Sequence, residues 1–379
     1  MLISAFTRVH NRDRGTVSEL SEALRAARDA AGLSLSRMAH LTHYSKPYLS
    51  MIENGKRPAL PDVVDSYEQV LGVPLGSDPV RRAHEWLVSD SPAVVQSRSG
   101  RQVGSSLADA MDARVVELRH LDDVVGSTDL LPAIRKELTE AQTLVRNACY
   151  SDATGRRLLT VTGELAQIAG WVASDAGQHA DAQRLYLSGA SVANEAGNDP
   201  LAAQLFSSLS YQIANVGKPD DALLLARSAV KGAHGATPVV KTLLLERVAW
   251  ASARTRDREA TRRALDAVDD TYERRSPDVE EPEWVYWLNR SEIDVMAGRC
   301  MIELGDPGRA EPLLSAAVAS YPDGHSREIA LYLSWLAESY ARTGALDAAR
   351  TTLDRAKEYA ARMPSARTDD RFRAVQELV

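Results

Sequence analysis

The stretch LSLSRMAHLTHYSKPYLSMIENGKRP, residues 33–58, decides how this chain is read. Ser34 is placed to cap a short helix through about Leu41, and Ser45 a second through about Glu53. A serine oxygen accepts the N–H groups that a helix start leaves unpaired. Pro47 falls in the first turn of the second helix, where a missing N–H costs nothing, and Gly55 closes that helix. Two short helices joined by a tight turn follow. The only acid from Ser34 to Leu60 is Glu53, set against Arg37, Lys46, Lys56 and Arg57. A local basic face of this kind suits contact with a polyanion.

Working outward, Ser18 to Ala31 reads as a helix with Leu20, Leu24 and Ala27 on one face and Gly32 placed to stop it. Pro61 opens another helix to Leu71, closed by Gly72, and Pro79 to Val88 suggests a fifth. Residues 1–76 hold nine Lys and Arg against eight Asp and Glu, hence +1, which leaves −8 of the total −7 to the rest. The small N-terminal module therefore sits on a body that repels nucleic acid.

These residues resemble the helix-turn-helix of the Cro-type, or XRE, regulator family. Ala39 matches the small residue that lets the two helices pack, and Met38, Leu49 and Ile52 supply the buried face. Glu53-Asn54-Gly55-Lys56 matches the family's exit from the recognition helix, and Leu71-Gly72-Val73 its later helix ending. The resemblance implies that the second helix enters the major groove of double-stranded DNA with its N-terminal residues against base edges. Carried over by position, Lys46, Pro47, Ser50 and Met51 face the bases. Lys46 is the expected donor to guanine O6 and N7, Ser50 a weak reader of several bases, and Pro47 and Met51 apolar partners of thymine methyls. Ser34, Ser36, Arg37, Asn54, Lys56 and Arg57 take phosphate-clamping positions. Tyr48 either reaches a phosphate or packs its ring. His43 stands where the family has glycine, after Thr42 in a normally apolar place, which predicts a reshaped turn. A homodimer reading a near-palindromic operator, with half-sites roughly 34 Å apart, is the family's expected mode.

The 379 residues are too many for one core. Apolar content of 44% and charged content of 26% are those of a globular protein, and three Phe amid abundant Ala and Arg favour helices. An all-α chain is expected, with a five-helix helix-turn-helix domain followed by an α-superhelix. The expected divisions are a flexible arm at 1–16, the DNA-binding domain at 17–88 and a linker at 89–104. A helical coupling segment at 105–150 and the superhelix at 151–379 complete them. The linker reads SDSPAVVQSRSGRQVG, and its Arg98 and Arg101 suit a solvated hinge better than phosphate contact.

The superhelix rests on internal repeats. The segments AGWVASDAGQHADAQRLYLSGA, LSYQIANVGKPDDALLLARSAV, MAGRCMIELGDPGRAEPLLSAAV and LAESYARTGALDAARTTLDRAK each end a helix near Gly177, Gly217, Gly305 or Gly344. An alanine follows five residues on, at Ala182, Ala222, Ala310 and Ala349, and a degraded copy carries Ala260 and Ala264. Successive copies are offset by about 40, 38, 50 and 39 residues. Small residues recur because they let crossing helices approach closely. The region, residues 155–360, resembles a tetratricopeptide superhelix with lengthened helices.

That resemblance implies a groove lined by the first helix of each repeat. Its candidate lining is Glu164, Gln167, Trp171 and Asp175, then Gln204, Tyr211 and Asn215, then Arg299 and Glu303, and last Glu338 and Arg342. Position by position, a solvated helix face is the commoner role for such residues. Trp284 and Trp287 lie where the offset stretches to 50 and serve either a ligand wall or helix packing. Family likeness implies a signalling peptide or small molecule in the groove that changes the dimer; a partner protein would instead make the chain an interaction scaffold, or an antitoxin-like binder with secondary DNA binding.

No P-loop, HExxH or Gly-rich dinucleotide turn is present, so no enzyme and no cofactor is expected. The eight His show no metal spacing, and Cys149 and Cys300 read as small buried residues in helices. Two cysteines and no signal-like or membrane-length apolar run predict a cytoplasmic protein, nucleoid-associated when DNA-bound, without a membrane partner.

Overall fold

The computed structural model describes residues 20–57, 59, 61–71, 104–322 and 325–379. It divides into two compact units, Met1–Arg82 and Ala83–Val379. The expected arm at 1–16, the helix at Pro79–Val88 and the linker with Arg98 and Arg101 lie outside the described residues. Among those residues every regular element is helical.

The N-terminal unit holds α1 (residues 20–30), α2 (Leu35–Thr42), α3 (Lys46–Glu53) and α4 (Pro61–Leu71). Both serine caps form: Ser34 Oγ accepts the Arg37 N–H at 3.1 Å, and Ser45 Oγ the Tyr48 N–H at 3.4 Å. Leu24, Met38, Leu49, Ile52, Val63 and Tyr67 make one small core. Beside it Glu53 is 5% exposed and accepts Arg28 Nε and Nη2, each at 2.7 Å, and the Tyr67 hydroxyl at 2.8 Å. The sole acid of the 34–60 stretch is thus spent inside the unit, tying α1, α3 and α4 together.

The turn between α2 and α3 is not reshaped. His43 adopts φ 58° and ψ 14°, the left-handed conformation a glycine would take there. Thr42, 8% exposed, fills the apolar position with its hydroxyl donating to the Met38 carbonyl at 2.8 Å. A side chain in this conformation is strained, so His43→Gly raises the unit's stability by about 0.5–1 kcal/mol, read as a higher denaturant midpoint.

The second unit opens with α5 (Ser105–Asp122) and α6 (Ser127–Asn147). Five helical hairpins follow. These are α7 (Asp152–Asp175) with α8 (His179–Glu195), α9 (Asp199–Val216) with α10 (Pro219–Gly232), and α11 (Pro238–Arg254) with α12 (Arg258–Tyr272). Then come α13 (Arg290–Glu303) with α14 (Pro307–Ser320), α15 (Ser326–Arg342) with α16 (Leu346–Ala360), and last α17 (Ala366–Gln376). Ala182, Ala222, Ala310 and Ala349 are fully buried at the hairpin crossings. Residues 105–150 share their core with the first hairpins: Leu118, Leu130 and Ile134 join Leu158, Leu165 and Val172 in one cluster.

The degraded copy reads one residue away from the sequence expectation. Arg256, at φ 60°, takes the place that Gly177, Gly305 and Gly344 fill with positive φ. Five residues on, Thr261 is the fully buried crossing residue, with Ala260 and Ala264 beside it at 7% exposure. Cys300 is buried as expected, but Cys149 is exposed. It stands in the connection after Asn147, not inside a helix.

Candidate functional site

The N-terminal unit presents its candidate reading face from α3. Lys46 and Pro47 are exposed in the first turn, Met51 is 38% exposed one turn on, and Ser50 is half-buried. Ser34, Ser36 and Arg37 are exposed at the start of α2; Asn54, Lys56 and Arg57 are exposed past the end of α3. Asn54 Nδ2 donates to the Ser50 carbonyl at 2.7 Å, closing the helix. Tyr48 packs: its ring lies 5.6 Å from Tyr44 and carries the Arg57 guanidinium at 4.9 Å. Arg37, Lys46, Lys56 and Arg57 have no carboxylate partner among the described residues, because Glu53 is paired internally.

The second unit closes on itself. Arg327, at the start of α15, sets Nη1 and Nη2 each 3.1 Å from the carboxylate of Asp122, at the end of α5. Asp175, at the end of α7, accepts Ser127 Oγ at 2.6 Å and Ser365 Oγ at 2.9 Å and pairs with Arg367 Nε at 3.3 Å. Burial acts to push the Asp175 carboxyl up, yet Arg367, Arg327 and the two serines hold it below the usual range. The contacts Asp122–Arg327 and Asp175–Ser365 join residues 205 and 190 apart in sequence.

Inside that closure is a cavity of about 490 Å³. The first helix of every hairpin contributes to its wall, through Trp171, Tyr211, Arg247, Arg299 and Glu328 among others. Such a volume is typical of small-ligand sites. Of the expected groove residues, Gln167, Trp171, Gln204, Tyr211, Trp284, Trp287 and Arg299 line it. The other six serve the scaffold. Glu164 pairs with Arg119 at 2.8 Å, and Asp175 holds the closure. Asn215 accepts Trp250 Nε1 at 3.1 Å, and Glu303 pairs with Arg254 at 3.0 Å. Glu338 takes Arg342 at 2.7 Å and Arg371 besides.

Trp284, in the 3-10 turn Glu283–Val285, and Trp287, just after it, reach the wall from the long connection between α12 and α13 that stretches the repeat offset. Trp171 stacks on Tyr211 at 5.9 Å. Sequence reasoning missed Glu246, Arg247, Glu292 and Tyr332. The signal for the first two was an acid–base pair inside the apolar run of TLLLERVAW, residues 242–250, where charge has no reason to be unless something meets it.

The cavity's electrostatics are uneven. Glu246 is 2% exposed and Arg247 6%, and neither makes a hydrogen bond among the described residues. Burial pushes the Glu246 carboxyl up to about 8. Arg299 is 5% exposed and donates only to the Tyr211 hydroxyl, at 2.9 Å. Burial pushes the Tyr211 phenol up, but Arg299, Arg367 and Arg247 together pull it down to about 8. Glu292 is satisfied differently, accepting the hydroxyls of Tyr321 and Tyr332, while its burial raises it. Arg247 lies over Tyr211 at 4.4 Å and Trp287 at 5.9 Å. Aromatic faces return about 0.5–2 kcal/mol to a cation, against several kcal/mol for its desolvation.

A helix-turn-helix family model matches residues 24–77, and a tetratricopeptide repeat model matches residues 301–368. No curated protein matches the chain significantly. Among solved structures, the chain is remotely similar to BtubC from P. vanneervenii, at 19% identity over 61% of this chain and 89% of that one, TM-score 0.42. It is also similar to the apo form of the quorum sensor NprR from B. thuringiensis, at 14% identity over 82% and 81%, TM-score 0.43. A third similarity is to Bacillus thuringiensis PlcR, solved with the peptide PapR7 and DNA, at 12% identity over 87% and 99%, TM-score 0.30. No helix of the described residues is long and apolar enough to cross a membrane. The chain joins a helix-turn-helix segment to a body of helical hairpins whose last copies match the tetratricopeptide repeat.

Proposed function

We propose that this chain is a DNA-binding transcriptional regulator that lays α3 in the major groove and is gated by a small ligand in the repeat cavity. The observation that carries it is the reading face: exposed Lys46, Pro47 and Met51, flanked by Arg37, Lys56 and Arg57, with the one nearby acid consumed inside the fold. A single module with so few cations binds weakly, since each phosphate contact adds a modest, salt-dependent increment. Pairing two copies on a near-palindrome supplies the affinity. A ligand then acts by favouring one dimer geometry, and only to the extent that it binds the two states differently. A cavity of about 490 Å³ is of the size a small ligand fills.

Genome-wide occupancy of the full chain recovers the operator. On that site Lys46→Ala weakens binding about 5–150-fold and relaxes one base preference, whereas Arg57→Ala weakens all sequences alike and lowers the salt slope. Unchanged occupancy in both variants rules the DNA-reading role out.

A further inference from the structure

We infer that the repeat cavity is an anion site, built for a small aromatic molecule carrying a carboxylate or equivalent oxyanion, with Arg247 as its principal partner. The inference rests on the proposal that this cavity holds a ligand, and it names that ligand's chemistry.

Buried arginines elsewhere in the chain each meet a carboxylate: Arg28 has Glu53, Arg119 has Glu164, Arg327 has Asp122 and Arg371 has Glu338. Arg247 and Arg299 are the exceptions among the described residues, and both line the cavity against Tyr211. Arg299 is partly provided for, since it donates to Tyr211 and lies over Trp250 at 4.3 Å and Trp335 at 4.9 Å. Arg247 lies over the Tyr211 and Trp287 rings and its Nε is buried with no acceptor, the neighbouring Glu246 acting on it through charge without a hydrogen bond among the described residues. A buried guanidinium in that state is held at a loss unless an anion joins it, and its planar fork suits an oxyanion with two oxygens.

Acids share the wall: Asp122 is taken up by Arg327, and Asp123, Glu246, Glu292 and Glu328 line it as well. Glu246 has an unpartnered Oε1 and holds its proton at neutral pH, so it faces the cavity as a neutral O–H donor. Glu292 accepts two tyrosine hydroxyls, which favour its charged form, while its burial raises it. Next to the cationic end stand Trp171, stacked on Tyr211, and Trp287, within 5.9 Å of Arg247. Flat apolar surface beside a guanidinium fits an aromatic ring bearing an acid.

The test uses the full chain with three matched probes: phenylacetate, phenylacetamide and phenethylamine. Binding is read from Trp fluorescence and from the shift in melting midpoint. Phenylacetate is expected to quench the fluorescence and raise the midpoint, with the amide and the amine weaker by tenfold or more. Arg247→Met is expected to lose at least tenfold in phenylacetate affinity while the ligand-free midpoint holds or rises, because an unpaired buried charge has gone. A merely structural Arg247 would instead lower that midpoint, and this outcome overturns the inference. Equal binding of the amide or amine also overturns it and leaves the cavity as a ligand site of another chemistry. Failure of all three probes overturns it together with the ligand-gating proposal. Phenylacetate binding that leaves operator affinity unchanged sinks the gating alone.

Discussion

Arg327→Ala lowers the stability of the repeat body by about 3–5 kcal/mol, the range for removing one partner of a buried ion pair. The Arg327 side chain is 3% exposed and faces Asp122 through both Nη atoms, with Asp175 at 3.8 Å from Nη1. Truncation leaves the Asp122 carboxylate desolvated without a counter-ion; Asp175 keeps Arg367, Ser127 and Ser365. The melting midpoint of the body is expected to fall by roughly 6–12 °C. Charge, and not packing alone, is responsible, so the double variant Arg327→Met with Asp122→Leu recovers most of the loss. A double-mutant cycle with urea unfolding separates the two, and a single-variant cost below about 1 kcal/mol counts against the closure as a stabilising element. The same change bears on function. Asp122–Arg327 and Asp175–Ser365 join elements far apart in sequence, and Asp122 and Arg327 themselves line the 490 Å³ cavity. The Arg327→Ala body therefore also loses its ligand response, while the N-terminal unit keeps its fold.

What was legible in the sequence follows from how local each cause is. Ser34 and Ser45 were readable as caps because a cap bonds a backbone N–H three residues away. The hairpins were readable where Gly177, Gly305 and Gly344 supply positive φ and an alanine follows at a crossing. The third copy was blurred because Arg256 adopts the same conformation without being glycine, and Thr261 replaces the alanine by turning its hydroxyl onto the Asp257 carbonyl at 2.7 Å. His43 defeated the reading in the same way. The cavity was half-legible. Helical spacing placed Trp171, Gln204 and Tyr211 on one face, but no spacing reveals that Asp175 turns to Ser365 or that Arg247 goes unmatched. Those depend on how far the superhelix winds, which is a sum over every hairpin crossing and belongs to no single segment.

Glu53→Ala is expected to unfold the N-terminal unit in the full chain while leaving the repeats intact. Its carboxylate is the meeting point of three helices: it receives Arg28 from α1 twice at 2.7 Å and Tyr67 from α4 at 2.8 Å, and it sits at the end of α3. Burial and the hydrogen bond to Glu53 both push the Tyr67 hydroxyl up, which keeps it a donor at any working pH. Removing the carboxylate strands Arg28, whose side chain is 9% exposed, with Asp29 and the Leu33 carbonyl as its remaining partners. The expected cost, about 3–5 kcal/mol, is a large part of what so small a core holds in total. Glu53→Gln keeps the shape and one acceptor and costs less, because Arg28 loses its counter-charge but not every hydrogen bond. Hydrogen exchange on the intact chain reads this directly. Protection across residues 20–71 is expected to vanish in Glu53→Ala and fall partway in Glu53→Gln, with residues 104–379 unchanged. DNA retention should follow the same order at every salt concentration and on every sequence, unlike Lys46→Ala, which spares non-specific binding. Full protection in Glu53→Ala is the outcome that contradicts this account. It would mean that the six core side chains hold the helix-turn-helix alone and that Glu53 balances charge at the reading face rather than serving as a structural tie.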